Sequence, residues 1–188
     1  MQKENTQIIR ISKRGFTLLE LLIVIGILAI LTTVVAITLN PAQLLAQARD
    51  SQRLSDLNSV NSAVGLYVAS ASTTPAIGAG PTCTAGTTSG FGFGGNEACT
   101  TNASTTISGT GWVLVDFRNI SSGSPLSKLP LDPVNSATYF YAYKGDTTNL
   151  TIELNTKLES NKYTGLMTTD GGSNNSFYEI GSDPGLDL

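Results

Sequence analysis

The sequence predicts an α+β fold: a long N-terminal helix, membrane-spanning in its first half and amphipathic in its second, packed on a small antiparallel β-sheet head. Three observations carry this. Leu21 to Leu39 holds no charged residue, apolar residues recur at helical spacing beyond Pro41, and the last third alternates with period two. At 188 residues the chain suffices for one modest domain plus an appendage.

As a helix, the uncharged run spans about 28 Å of hydrocarbon, a membrane-crossing length. Lys3, Arg10, Lys13 and Arg14 precede it, and by the positive-inside rule they hold the N-terminus in the cytoplasm. An ordinary secretory signal fits poorly. Its apolar core would be 7 to 15 residues long, whereas here the core is longer, starts with Glu20, and is parted from the small-x-small triplet Ala46-Gln47-Ala48 by Asn40 and Pro41. A simple anchor explains length and orientation but not Glu20, because an ionised group at the centre of a span costs about 2.5 to 3.5 kcal/mol and somewhat less near its end.

The stretch "RGFTLLELLIVIGILAIL" resembles the class III signal of type IV pilins and pseudopilins: a basic leader, Gly15, Phe16, a glutamate at the fifth position after that glycine, then an unbroken apolar run. The resemblance implies that prepilin peptidase removes residues 1–15, cutting between Gly15 and Phe16 on the cytoplasmic face. It also implies N-methylation of the new Phe16 amine and retention of the apolar segment. Glu20 then has a reason. A cationic amine at Phe16 and the Glu20 carboxylate of another subunit would neutralise each other in an apolar filament core, where a charge is tolerable when paired. Pairing within one subunit is the alternative, since residues four apart on a helix are neighbours.

The helix is expected over 16–71, crossing the membrane to about residue 39. Pro41 lacks a backbone donor and should kink or locally open it. Beyond, Leu44, Ala48, Leu54, Leu57, Val60, Val64 and Val68 mark one buried face. Arg49, Asp50, Arg53 and Asp56, with opposite charges three apart, read as a solvated face. Gly26 reads as tolerated in the helix rather than as a contact point.

Residues 72–111 read as a Ser/Thr/Gly-rich loop region, and 112–188 as the globular β-rich head. In an exported chain Cys83 and Cys99, the only two cysteines, are expected to form one disulfide; a free pair is the alternative where the surroundings are not oxidising. "GFGFGGN" at 90–96 is no phosphate loop, for want of a preceding strand and a Gly-Lys-Ser/Thr. In the head, Tyr139, Tyr141 and Tyr143 share one strand face and Leu150, Ile152 and Leu154 another, with "KGDTTN" as the turn between them. "WVLVDF" (112–117) and "FYEI" (177–180) are further strand candidates. "LPLDPVNSATYFYAY" resembles the segment entering the sheet of major pseudopilins, with Val134 where an aromatic residue is expected. That branch often binds calcium in a C-terminal loop, but Asp170, Asn174 and Asn175 lack EF-hand spacing and read as a surface turn. Asn-x-Ser/Thr triplets at Asn102, Asn119, Asn149 and Asn174 are weak glycan signals in so Ser/Thr-rich a chain.

Histidine is absent, so His-based triads and two-His zinc sites are excluded, and the scattered carboxylates suggest no enzyme. No cofactor or metal is expected. From Phe16 onward 7 basic residues face 13 acidic ones, which argues against direct nucleic-acid binding. The expected function is a structural subunit of a type IV pilus-like filament polymerised through its N-terminal helix. Its partners would be copies of itself, prepilin peptidase, assembly machinery in the cytoplasmic membrane, and membrane lipid before assembly. Its location would be a single-pass cytoplasmic membrane protein, then a cell-surface or periplasmic filament. The alternatives are a pseudopilin of a type II secretion or DNA-uptake system, and a membrane-anchored surface binding protein that never polymerises.

Overall fold

The computed structural model describes residues 15–71, 73–86, 93 and 97–188. The leader preceding Gly15 and most of the "GFGFGGN" stretch lie outside the described residues. The chain divides into two compact units, Met1–Pro41 and Ala42–Leu188.

In the first unit, α1 runs Leu18–Leu39. It ends at Asn40, whose φ of 42° and ψ of 73° are left-handed. The expected kink at Pro41 is therefore a break between two helices, with α2 starting at Pro41 itself and running to Ser70. The proline ring disfavours helical geometry at the residue before it, and asparagine tolerates the left-handed alternative better than most residues. Every side chain described in α1 is exposed. Thr32, Thr33 and Thr38 return their hydroxyls to carbonyls of the preceding turn, so the span presents few free polar groups.

In the second unit α2 lies against a five-stranded sheet of order β2-β1-β3-β4-β5. The strands are β1 Thr82–Cys83, β2 Thr100–Thr101, β3 Tyr141–Asp146, β4 Thr151–Thr156 and β5 Tyr178–Gly181. β1, β3, β4 and β5 pair antiparallel in turn, but β1 and β2 run parallel, so the expected antiparallel sheet is mixed at one edge. Both parallel strands come from the segment expected to be loop. Period two sorts β3: Tyr141 and Tyr143 enter the core under α2, while Ala142 joins Phe140, Phe93, Cys83 and Cys99 on the other face. The Cys83–Cys99 disulfide pins that second layer, with its Cα atoms 5.8 Å apart.

Three strand expectations fail locally, the smallest at the β3–β4 turn, where Lys144, Gly145 and Asp146 of the expected turn end β3 and Leu150, expected in the next strand, turns with a φ of 57°. "WVLVDF" forms only single bridges, Val115 to Ile77 and Asp116 to Ser108, before turning into a 3-10 helix over Phe117–Asn119. Asp116 caps that turn by accepting from the Arg118 amide, which ends the extended run. Trp112, Val113, Val115 and Phe117 are nonetheless fully buried, so the apolar run was core without being strand. Tyr139 precedes β3, and its ring lies under the Arg53 guanidinium at 4.8 Å. "FYEI", by contrast, overlaps β5.

The buried face of α2 is Ala46, Asp50, Arg53, Leu57, Val60, Ala63, Val64 and Tyr67. Leu44 and Ala48 are exposed, and Asp50 and Arg53 are not on a solvated face at all. The helical period is intact; two of its inward positions carry charge. Arg53 donates to Asp132 through Nε (2.6 Å) and Nη2 (3.1 Å), and through Nη1 to Asp50 (2.8 Å) and Glu159 (2.7 Å). Burial works against the Arg53 charge, but the bonds to Asp132, Glu159 and Asp50 outweigh it and hold its pKa above the ordinary value. Asp132 also accepts from the Val134 and Asn135 amides, so the Asp-Pro turn is itself fastened to α2. Asp50 accepts from the Glu159 and Ser160 amides, and Arg49 forks onto Glu159 at 2.6 and 2.8 Å. Asp56 is half-buried, accepting from the Tyr141 hydroxyl at 2.8 Å; burial raises its pKa.

Candidate processing and assembly site

The candidate site is the head of α1, where Gly15, Phe16, Thr17 and Glu20 are all exposed. Thr17 has extended geometry (φ −81°, ψ 152°) and stands as N-cap. Its Oγ1 accepts from the Glu20 amide at 3.2 Å, and Glu20 Oε2 accepts in return from the Thr17 amide at 2.8 Å and from its hydroxyl at 2.9 Å. This is a reciprocal capping box. It satisfies two of the amides that any helix leaves without partners in its first turn, and it puts the carboxylate at the positive end of the helix dipole.

The charge-pairing account of Glu20 passes over this local role, although its signal, Thr17-x-x-Glu20 ahead of an apolar run, stands in the sequence. The two roles are compatible. The bonds to Thr17 fall on Oε2, and the carboxylate stays exposed to an approaching cation. Gly15 has a different character. A Cβ built on it meets nothing within 4 Å, so no contact in the described chain demands glycine there.

Behind the site, Leu18–Ala36 is 19 residues long and apolar enough to cross a membrane by length and composition. Of the remaining expected residues, Cys83 and Cys99 come together in the disulfide, in the second unit. Asp170 and Asn174 form a turn: Asp170 accepts from the Gly172 and Glu179 amides, and Asn174 accepts from the Ser176 amide.

Residues 10–36 match the family model described as the prokaryotic N-terminal methylation motif, the class III prepilin signal typical of type IV pilins and pseudopilins. Neither a curated protein nor a solved structure matches the chain significantly. The match covers the end of the leader from Arg10, the Gly15-Phe16 junction, Glu20 and nearly all of the apolar span. The chain thus carries a prepilin-type signal. Joined to a long apolar helix and a second helix packed on a small sheet, that signal gives a pilin-like α+β arrangement and supports prepilin-type processing with membrane anchoring through α1.

Proposed function

We propose that this chain is a structural subunit of a type IV pilus-like filament, with association rather than catalysis as its function. The observation that carries the reading is α1: 22 residues whose described side chains all remain exposed, with Glu20 the one ionisable group in the helix. Exposing such a surface to water costs about 1.5 to 3 kcal/mol per large apolar side chain. It needs lipid first and then a bundle of like helices, reached without passing through water. In this reading prepilin peptidase cuts between Gly15 and Phe16, the Phe16 amine is methylated, and Glu20 of one subunit meets that amine on another. A contact that repeats head to tail without closing produces a filament. The finished polymer lies at the cell surface or in the periplasm, after extraction from the cytoplasmic membrane by the assembly machinery.

Two substitutions at one position separate charge pairing from helix capping. Glu20→Gln keeps an acceptor for the Thr17 amide but removes the charge, whereas Glu20→Ala removes both. N-terminal sequencing is expected to find Phe16 first in both variants, and sheared surface filaments are expected to be lost from both. Normal filament yield from Glu20→Gln would refute the pairing role and leave capping as the reason for the carboxylate. A mature chain that keeps residues 1–15 would favour a non-polymerising anchor instead.

A further inference from the structure

The face of the sheet turned away from α2 carries two buried acids. Glu153 on β4 is 0% exposed and Glu179 on β5 is 2% exposed. In the register Asn155 lies opposite Glu179 and Glu153 opposite Gly181, so the two glutamates are diagonal neighbours on one face while Leu154 and Ile180 take the other. Two ionised carboxylates buried side by side repel at high cost, so such a pair is best kept with a proton on one of its members.

The surroundings do not replace that proton with a cation. Glu153 accepts from Asn155 Nδ2 at 2.7 Å and from the Leu188 amide at 3.0 Å. Glu179 Oε2 accepts from the Asn174 amide at 2.8 Å, and Oε1 reaches no donor among the described residues. The charged groups bearing on the pair from neighbouring segments, Asp170 and Asp183, are acids. Lys144, opposite Glu153 on β3, sends its ammonium to Glu97 at 2.8 Å. Neither glutamate forms an ion pair among the described residues. Gly172 approaches so closely that a Cβ there would collide with the Glu179 carboxyl.

We propose that one proton shared by Glu153 and Glu179 is a clasp: it holds loop 170–174 and the segment 182–188 against the sheet, and its loss as the medium turns alkaline loosens both. Each segment is tied to a different member of the pair, Asn174 to Glu179 and Leu188 to Glu153. Ionising both acids sets two buried charges side by side, a cost relieved by letting water reach them. Burial, with the charges of Glu153 and Asp170 adding to it, pushes the Glu179 carboxyl up to about 8, and burial raises Glu153 too. In an opened segment the same group titrates near the ordinary value of about 4.3. The closed form therefore keeps a proton that the open form has lost throughout that interval. Linkage makes opening more favourable by about tenfold per pH unit between about 4.3 and 8, levelling off above.

The test is hydrogen exchange of the full chain in detergent micelles from pH 5 to 10, read at the Asn174 and Leu188 amides and corrected for intrinsic rate. Protection of the unsubstituted protein is expected to fall about tenfold per pH unit up to about pH 8 and then level. In Glu179→Gln the Asn174 amide faces a side chain that is neutral at every pH, and its protection is expected to lose that fall. That comparison separates the clasp from Asp56, whose pKa burial also raises. If Glu179→Gln does not fold, Glu153→Gln serves: it removes the neighbouring charge and its amide can donate to Glu179, so the fall in protection should level off at a lower pH than in the unsubstituted protein. Protection that is independent of pH in the unsubstituted protein, or an unchanged pH dependence in a folded variant, overturns the proposal.

Discussion

The two helices follow one another in the chain and treat polarity in opposite ways. α1 is almost wholly apolar and buries none of its described side chains within the chain, while α2 is largely polar and buries Asp50 and Arg53 completely. Burial in this protein is therefore decided by what surrounds a helix, not by its hydrophobicity. The apolar helix leaves its surface to surroundings outside the chain, which in the proposed function are lipid and then like helices; the polar helix is held by its own head, and at its charged end it is held by ion pairs rather than by apolar contact. α1 also carries a charge at its start, but there the carboxylate caps its own helix and stays exposed.

The sharpest way to break the comparison is Arg53→Ala. It strands Asp50 and Asp132 in the interior, where losing the partner of a buried ion pair costs about 3 to 5 kcal/mol. Urea unfolding of the full chain in detergent should show a loss of that order in the head, while α1, in the other unit, keeps its helicity. An effect below about 1 kcal/mol, the size typical of exposed pairs, would mean that the network is far wetter than its burial implies.

Replacing Cys83 and Cys99 together by serine tests the opposite face of the sheet. The bridge closes a sequence separation of 16, so its loss should cost about 3 kcal/mol through the greater freedom of the unfolded chain. Reduction of the native protein should reproduce the result by the same unfolding assay.

A smaller effect is expected in acid. The Arg49 and Arg53 bonds hold the Glu159 carboxyl below its ordinary range, with the Arg49 bond the larger cause. A depressed carboxylate stabilises the fold above its unfolded pKa of about 4.3, and that contribution is lost as pH falls from there through the lower folded value. Glu159→Gln should therefore flatten part of the acid limb of a melting-temperature profile and leave its alkaline side unchanged. An acid limb identical to that of the unsubstituted protein would remove Glu159 from the account.

Much of the architecture is legible in local pattern. The uncharged run predicts α1, period two predicts β3, β4 and β5, and an even pair of cysteines in an exported chain predicts the disulfide. The failures share a cause. An apolar-only criterion places Leu44 and Ala48 on the buried face of α2, and Asp50 and Arg53 in solvent, because it cannot follow a helical stripe through positions that carry charge. Asp132 and Glu159, which complete the network, lie 79 and 106 residues from Arg53 in sequence, and no spacing rule joins them. "WVLVDF" reads as strand because a buried apolar run looks alike whether or not it finds a ladder partner.

At the candidate site, Gly15, Phe16 and Glu20 are named by the sequence alone, since the matched signal is a linear string that the proposed processing would read as one. The capping box was equally local, with both partners within one helical turn. The fate of every charge on α2 was settled only when the chain folded. Solvation is a property of a place in three dimensions, and the groups that hold Arg53 in its place are brought there by the sheet.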